Sequence, residues 1–107
     1  MEEIINTNNI TILKIPNCIN CTKVCELFDE IDATPYQLVD ISQIEEIEFD
    51  DVMTYLEEKV KTRMFPMVFV CGQYIGDYKE IQRKFEVGLL YDIFKKKLDL
   101  ETKSFDI

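Results

Sequence analysis

Four cysteines and no histidine set the chemistry open to this chain. Cys18, Cys21 and Cys25 fall within "KIPNCINCTKVCELF", and Cys71 stands apart downstream. Closely spaced sulfurs can form a disulfide clamp, ligate a metal, work as a redox couple, or simply fill a helix as small apolar residues. The absence of His removes Cys–His and Ser–His catalysis, so any nucleophile must be activated by its surroundings.

The elements that position these sulfurs are legible in the apolar pattern. "NITILKI" predicts a strand at about residues 9–15, stopped by Pro16. From Cys18 onward Val24, Leu27, Phe28 and Ile31 recur at helical spacing, with Lys23, Glu26, Asp29 and Glu30 on the other face. Tyr36–Ile41 reads as a second strand, and Phe49, Val52, Met53, Leu56 and Val60 mark a second helix. "PMVFV" and "QYI" form a hairpin turning at Cys71 and Gly72, and Ile81, Phe85, Leu89, Leu90, Ile93 and Phe94 give a last helical face that Gly88 can break. A βαβ start implies a parallel pair with a right-handed crossover, to which the hairpin adds antiparallel strands. The expected fold is α/β, a four-stranded mixed sheet with helices on both faces. The 107 residues suit a single domain, 1–107, with a core over about 9–97 and a frayed polar tail at 98–107.

Composition narrows the function. With 12 basic against 21 acidic residues the net charge is −9, which repels phosphate backbones and excludes nucleic acid as a partner. No 18-residue apolar run is present and the N-terminus is acidic where a targeting sequence would be basic, so no membrane partner is expected and a cytoplasmic location is. A reducing cytoplasm disfavours a structural disulfide clamp.

Cys18 falls at the loop-to-helix junction, where unpaired backbone N–H groups and the positive end of the helix stabilise a thiolate. It is the candidate nucleophile. Cys21, three residues on, faces the same side and can resolve a mixed disulfide formed on Cys18. The rival is metal binding, but a structural zinc normally takes four Cys or His ligands and this chain has no His. Cys25, at the border of the buried face, and Cys71, at a strand end, read as packing residues, with regulatory oxidation of Cys25 as the alternative.

Taken together, Cys18-Ile-Asn-Cys21 after a first strand, "TRMFPMVFV" and "GQYIGDYKEI" resemble the glutaredoxins over about Ile10 to Lys96. The resemblance implies a thioredoxin-like three-layer fold and a thiol–disulfide oxidoreductase with Cys18 and Cys21 catalytic. It makes Pro66 a cis-proline facing the dithiol, with Phe65 offering backbone groups to glutathione. Tyr78 and Lys79 border the turn that receives the γ-glutamyl end, and Glu80 stands where the family has Asp. Arg63 is expected to take the glycine carboxylate, because Ile15 occupies the family's lysine position and Lys14 is expected to point to the other face. Both basic residues also read as solvated surface charge.

The usual Cys-Pro-Tyr-Cys is altered at Ile19 and Asn20, and Asp77 replaces the second glycine of a pair, removing φ freedom and adding charge beside the glutathione site. The leading expectation is a monomeric glutathione-dependent enzyme reducing protein disulfides or glutathione mixed disulfides, with no metal of its own. Two alternatives stand beside it. One is a module holding a 2Fe–2S cluster between two subunits through Cys18 and glutathione. The other is a dithiol electron donor to a particular partner, such as ribonucleotide reductase, that does not use glutathione.

Overall fold

The computed structural model describes residues 2–30 and 35–98, with side chains up to residue 94. In chain order the elements are α1 (Glu2–Thr7), β1 (Ile10–Lys14), α2 (Ile19–Glu30), β2 (Gln37–Asp40), a 3-10 turn (Ile41–Gln43), α3 (Phe49–Val60), β3 (Met67–Val70), β4 (Gln73–Gly76), α4 (Tyr78–Glu86) and α5 (Leu89–Leu98). The strands form one mixed sheet in the order β2-β1-β3-β4. β1 pairs with β2 in parallel, Lys14 opposite Asp40, and with β3 in antiparallel fashion, Leu13 opposite Met67.

The pleat sends alternate residues of the central strands to opposite faces. Leu13, Met67 and Phe69 join Val52, Met53 and Leu56 of α3 in one core. Ile10, Ile12, Val68 and Val70 join Val24 and Phe28 of α2, Ile81 of α4 and Leu90 in the other. Continuous burial of Met67–Val70 follows from this double cover, since a strand packed on both faces has no polar side. Phe28 is the largest anchor of the second core, with the rings of Tyr36 and Phe94 edge-on at 5.9 and 5.7 Å.

β3 and β4 meet in a two-residue turn, Cys71 at φ 52° and Gly72 at φ 81°. Two successive positive φ values match the twist of a hairpin, which is why the turn holds a glycine.

Two expectations are corrected. The core does not begin near residue 9: Ile5 is fully buried beneath the first core, on a helix with too few apolar residues to announce itself. α1 is tied down by Glu2, whose carboxylate accepts from the Tyr55 hydroxyl and from Lys59 Nζ at 3.3 Å. The second strand is shorter than Tyr36–Ile41, because the Asp40 carboxylate accepts from the Ser42 N–H at 2.9 Å and caps a 3-10 turn starting at Ile41. The expected break at Gly88 is present, with φ 82° between α4 and α5. The expectations for Ile31 and for most of the tail lie outside the described residues.

Candidate active site

β1, an interior strand, delivers the chain to one end of the sheet, and Pro16-Asn17 turns it into α2, Asn17 taking a left-handed φ of 59°. Asparagine tolerates that region better than most residues. Cys18 therefore precedes the first residue of α2 and Cys21 lies in its first turn. The two are joined in a disulfide, Cα to Cα 5.2 Å. Cys21 is 2% exposed and belongs to the first core, while Cys18 is half-buried at its margin.

The local backbone is arranged around the outer sulfur. The Cys21 N–H donates to Cys18 Sγ at 3.1 Å, and the Thr22 N–H to the Cys18 carbonyl at 3.3 Å. The Cys21 N–H, in the first turn, has no carbonyl partner within the helix and is therefore available to a sulfur carrying negative charge. Across from them, the Phe65 carbonyl oxygen lies 3.9 Å from Cys18 Sγ, and the Phe65–Pro66 peptide is cis. Phe65 and Pro66 are both buried, and the Phe65 carbonyl is the group that faces Cys18.

The third wall comes from the end of β4. Gly76 pairs with Val68, two residues beyond Pro66, so the turn into α4 lies beside the proline. Asp77 and Glu80 form a capping box here: the Glu80 N–H donates to Asp77 Oδ1 at 3.2 Å and the Asp77 N–H to Glu80 Oε1 at 3.3 Å. Asp77 has φ −96°, an ordinary extended value, so the expected loss of φ freedom does not matter at this position. The glycine requirement falls on Gly76 instead, at φ 140°, where a Cβ would come within 2.7 Å of Glu80 Cβ. Half-buried Tyr78 and exposed Lys79 follow, the Tyr78 ring lying 5.7 Å from Lys23 Nζ.

Lys14 takes the face opposite Leu13 and Ile15, as strand alternation predicts, and from that face lines a cleft with Asn17, Cys18, Ile19 and Thr22. Ile15 packs on the first core beside Cys18, filling the family's lysine position with an apolar side chain. Arg63 is engaged elsewhere, its Nη1 2.6 Å from Glu57 Oε1. Thr22 is the cleft residue that sequence reasoning missed; its position four residues after Cys18 was the available signal.

Of the remaining sulfurs, Cys25 lines a small pocket with Lys14, Cys21, Thr22 and Leu38 beside the dithiol. Cys25 is half-buried against the second core, and burial pushes its thiol up from the ordinary range despite the nearby Tyr36 hydroxyl. Cys71 occupies the hairpin turn and is exposed, so it does not fill the core. Among the described residues no group of three or more His, Cys, Asp or Glu side chains is placed to hold a metal ion. A cluster shared between subunits would draw a single thiolate from each; half-buried Cys18 suits that role only once its bond to Cys21 is reduced.

A dithiol at a helix start, facing a cis-proline across the end of a four-stranded mixed sheet, defines a thioredoxin-like thiol–disulfide oxidoreductase. Residues 10–75 match the family model described as Glutaredoxin, and the chain belongs to the glutaredoxin family. It is 27% identical over 90 residues to glutaredoxin-2 of Schizosaccharomyces pombe, covering 84% of this chain and 79% of that one. Among solved structures it is similar to a buckwheat glutaredoxin–glutathione complex, 25% identical with a TM-score of 0.79, covering 89% of this chain and 84% of the other. The holo form of glutaredoxin C1 from Populus tremula x tremuloides shares the fold at a TM-score of 0.80 and 18% identity, covering 91% and 85%.

Proposed function

We propose that this protein is a glutathione-dependent reductase of protein disulfides and glutathione mixed disulfides, acting as a monomer in a reducing cytoplasm. The observation that carries the reading is Cys18 Sγ, held between the Cys21 N–H at 3.1 Å and the Phe65 carbonyl at 3.9 Å beside the cis Pro66. Its similarity to a glutaredoxin solved with glutathione supports the choice of reductant.

The Cys18 thiolate attacks the glutathione sulfur of a mixed disulfide; a new S–S bond forms on Cys18 and the substrate leaves as a thiolate that takes up a proton. The Cys21 N–H stabilises negative charge on Cys18 before attack and again when Cys18 is the leaving group. A second glutathione thiolate then attacks the glutathione sulfur, releasing glutathione disulfide. With a protein disulfide, buried Cys21 attacks Cys18 instead, frees the reduced substrate and leaves the Cys18–Cys21 disulfide, which two glutathione molecules reduce. Bound glutathione would place its cysteine against the Phe65 and Pro66 backbone, its γ-glutamyl end at the Asp77–Glu80 turn and its glycine carboxylate toward Lys14.

The test is a coupled assay with glutathione, glutathione reductase and NADPH on a small glutathione mixed disulfide. Wild type and Cys21→Ser turn over and Cys18→Ser does not. Failure of all three, with efficient reduction of the oxidised protein by a thioredoxin reductase, would replace glutathione by a dedicated protein reductant.

A further inference from the structure

Two helical stripes face each other away from the dithiol edge. Lys23, Glu26, Leu27 and Glu30 recur along one side of α2, and Tyr78, Gln82, Phe85 and Glu86 along one side of α4. Between them lies an open groove of about 360 Å³. Its apolar lining is Leu27, Tyr78 and Phe85, of which Phe85 remains 41% exposed although it is a large aromatic on an otherwise amphipathic helix. Its rim is acidic: Glu26, Glu30 and Glu86 are exposed, and among the described residues none of them is in an ion pair. Among the described residues Lys23 is the cation that lines it, and it sits over the Tyr78 ring at the end nearest the dithiol.

We infer that this groove is a docking site for a cationic, apolar segment of protein substrates, adjoining but separate from the glutathione site. An apolar floor with three carboxylates against one lysine is complementary to alternating Lys or Arg and Leu or Ile side chains. A second copy of this chain is a poor occupant, since it too carries a net charge of −9. Position ties the groove to the reaction. Lys23 is five residues beyond Cys18 on α2, about 8 Å along the helix, so an extended segment starting about three residues from a substrate cysteine whose disulfide reacts at Cys18 reaches it. The segment fixes a protein substrate while the exchange at Cys18 proceeds. This rests on the oxidoreductase reading only for its link to turnover; binding in the groove does not depend on it.

The probe is a synthetic peptide of alternating Leu and Lys, made without cysteine for binding and with a glutathionylated cysteine three residues before the Leu-Lys stretch for turnover. Its twin carries Glu in place of Lys. Fluorescence anisotropy of the cysteine-free peptide is expected to give saturable binding for the Lys form and none for the Glu form. Binding is weakened about tenfold in Glu26→Lys/Glu30→Lys/Glu86→Lys and weakened also in Phe85→Ser. Glu45→Lys/Glu46→Lys/Glu48→Lys, which changes net charge equally outside the groove, is expected to keep most of the binding. In the coupled assay the groove variants lose kcat/KM on the peptide substrate but not on the cysteine–glutathione mixed disulfide. Equal binding by groove and control variants overturns the proposal, as does no binding by the folded wild type. Peptide binding without turnover of either disulfide would retain the groove and reject the enzymatic reading.

Discussion

The backbone N–H of Cys21 points at the sulfur of Cys18 from 3.1 Å, so the buried member of the dithiol serves the exposed one through its main chain as well as its thiol. Replacing the Cys21 side chain leaves that donor in place. This is the physical reason for expecting Cys21→Ser to keep its activity on glutathione mixed disulfides.

The sulfurs are expected to differ in reactivity after reduction. Iodoacetamide at neutral pH labels Cys18 first, while Cys25, whose thiol is raised by burial, has a smaller thiolate fraction at any given pH and is labelled slowly. Its labelling rate rises toward alkaline pH. Mass spectrometry of peptides taken over a pH series measures both rates; equal labelling at pH 7 would contradict the assignment.

Lys14 and Arg63 can be separated as carboxylate partners for glutathione. Lys14 lines the cleft with Cys18, whereas Arg63 is paired with Glu57 at 2.6 Å. Lys14→Gln is expected to raise the KM for glutathione about two- to fivefold, as the loss of one exposed charge contact allows, and Arg63→Gln to change it less. The reverse order would show that Arg63 leaves Glu57 when glutathione binds.

Asp77 both caps α4 and places a negative charge beside the expected γ-glutamyl site. Asp77→Asn keeps an acceptor for the Glu80 N–H but removes the charge. Its thermal stability should stay near that of wild type while the KM for glutathione falls. Asp77→Ala should instead lose about 1 kcal/mol of stability with the cap. A higher KM in the Asn variant would mean that the carboxylate itself holds the ligand.

Docking of α1 is expected to weaken at both ends of the pH scale. Glu2 is held below the ordinary carboxylate value of 4.5 by the Tyr55 hydroxyl and Lys59, so its contribution is complete above 4.5 and is lost as pH falls through the lowered folded value. Burial and the same carboxylate push Tyr55 up to about 12, so its contribution is complete below 10 and disappears as pH rises through 12. Unfolding midpoints of wild type and Glu2→Gln should therefore differ near neutrality and converge in acid. No difference near neutrality would place the docking energy in Ile5 instead of Glu2.

The sulfur positions and the sheet were legible because each rests on a local signal. Cys18 follows a strand-and-proline stop, and Val24, Leu27 and Phe28 carry a helical stripe that β1 and β3 then bury. α1 was not legible: a six-residue helix with Ile5 as its one fully buried residue is held by tertiary contacts, and propensity over so short a segment is weak. Asp77 was misjudged: a family glycine was taken as a φ requirement although the position that needs glycine is Gly76. Asp77 is the N-cap of α4, where the backbone conformation is set by the helix that follows.

Cys21 is packed into the interior beside Leu13 and Met67 while its bonding partner sits at the surface. Electron transfer at this dithiol is thus written into the folding equilibrium. Any preference of the native core for the oxidised over the reduced sulfur must appear, by closure of a thermodynamic cycle, as an equal difference between the stabilities of the two forms. About 1.4 kcal/mol in that difference corresponds to about 30 mV for a two-electron couple. Two denaturation curves, one for the oxidised and one for the reduced protein, would measure how far the fold displaces its own dithiol from that of the unfolded chain, without an electrode or a substrate.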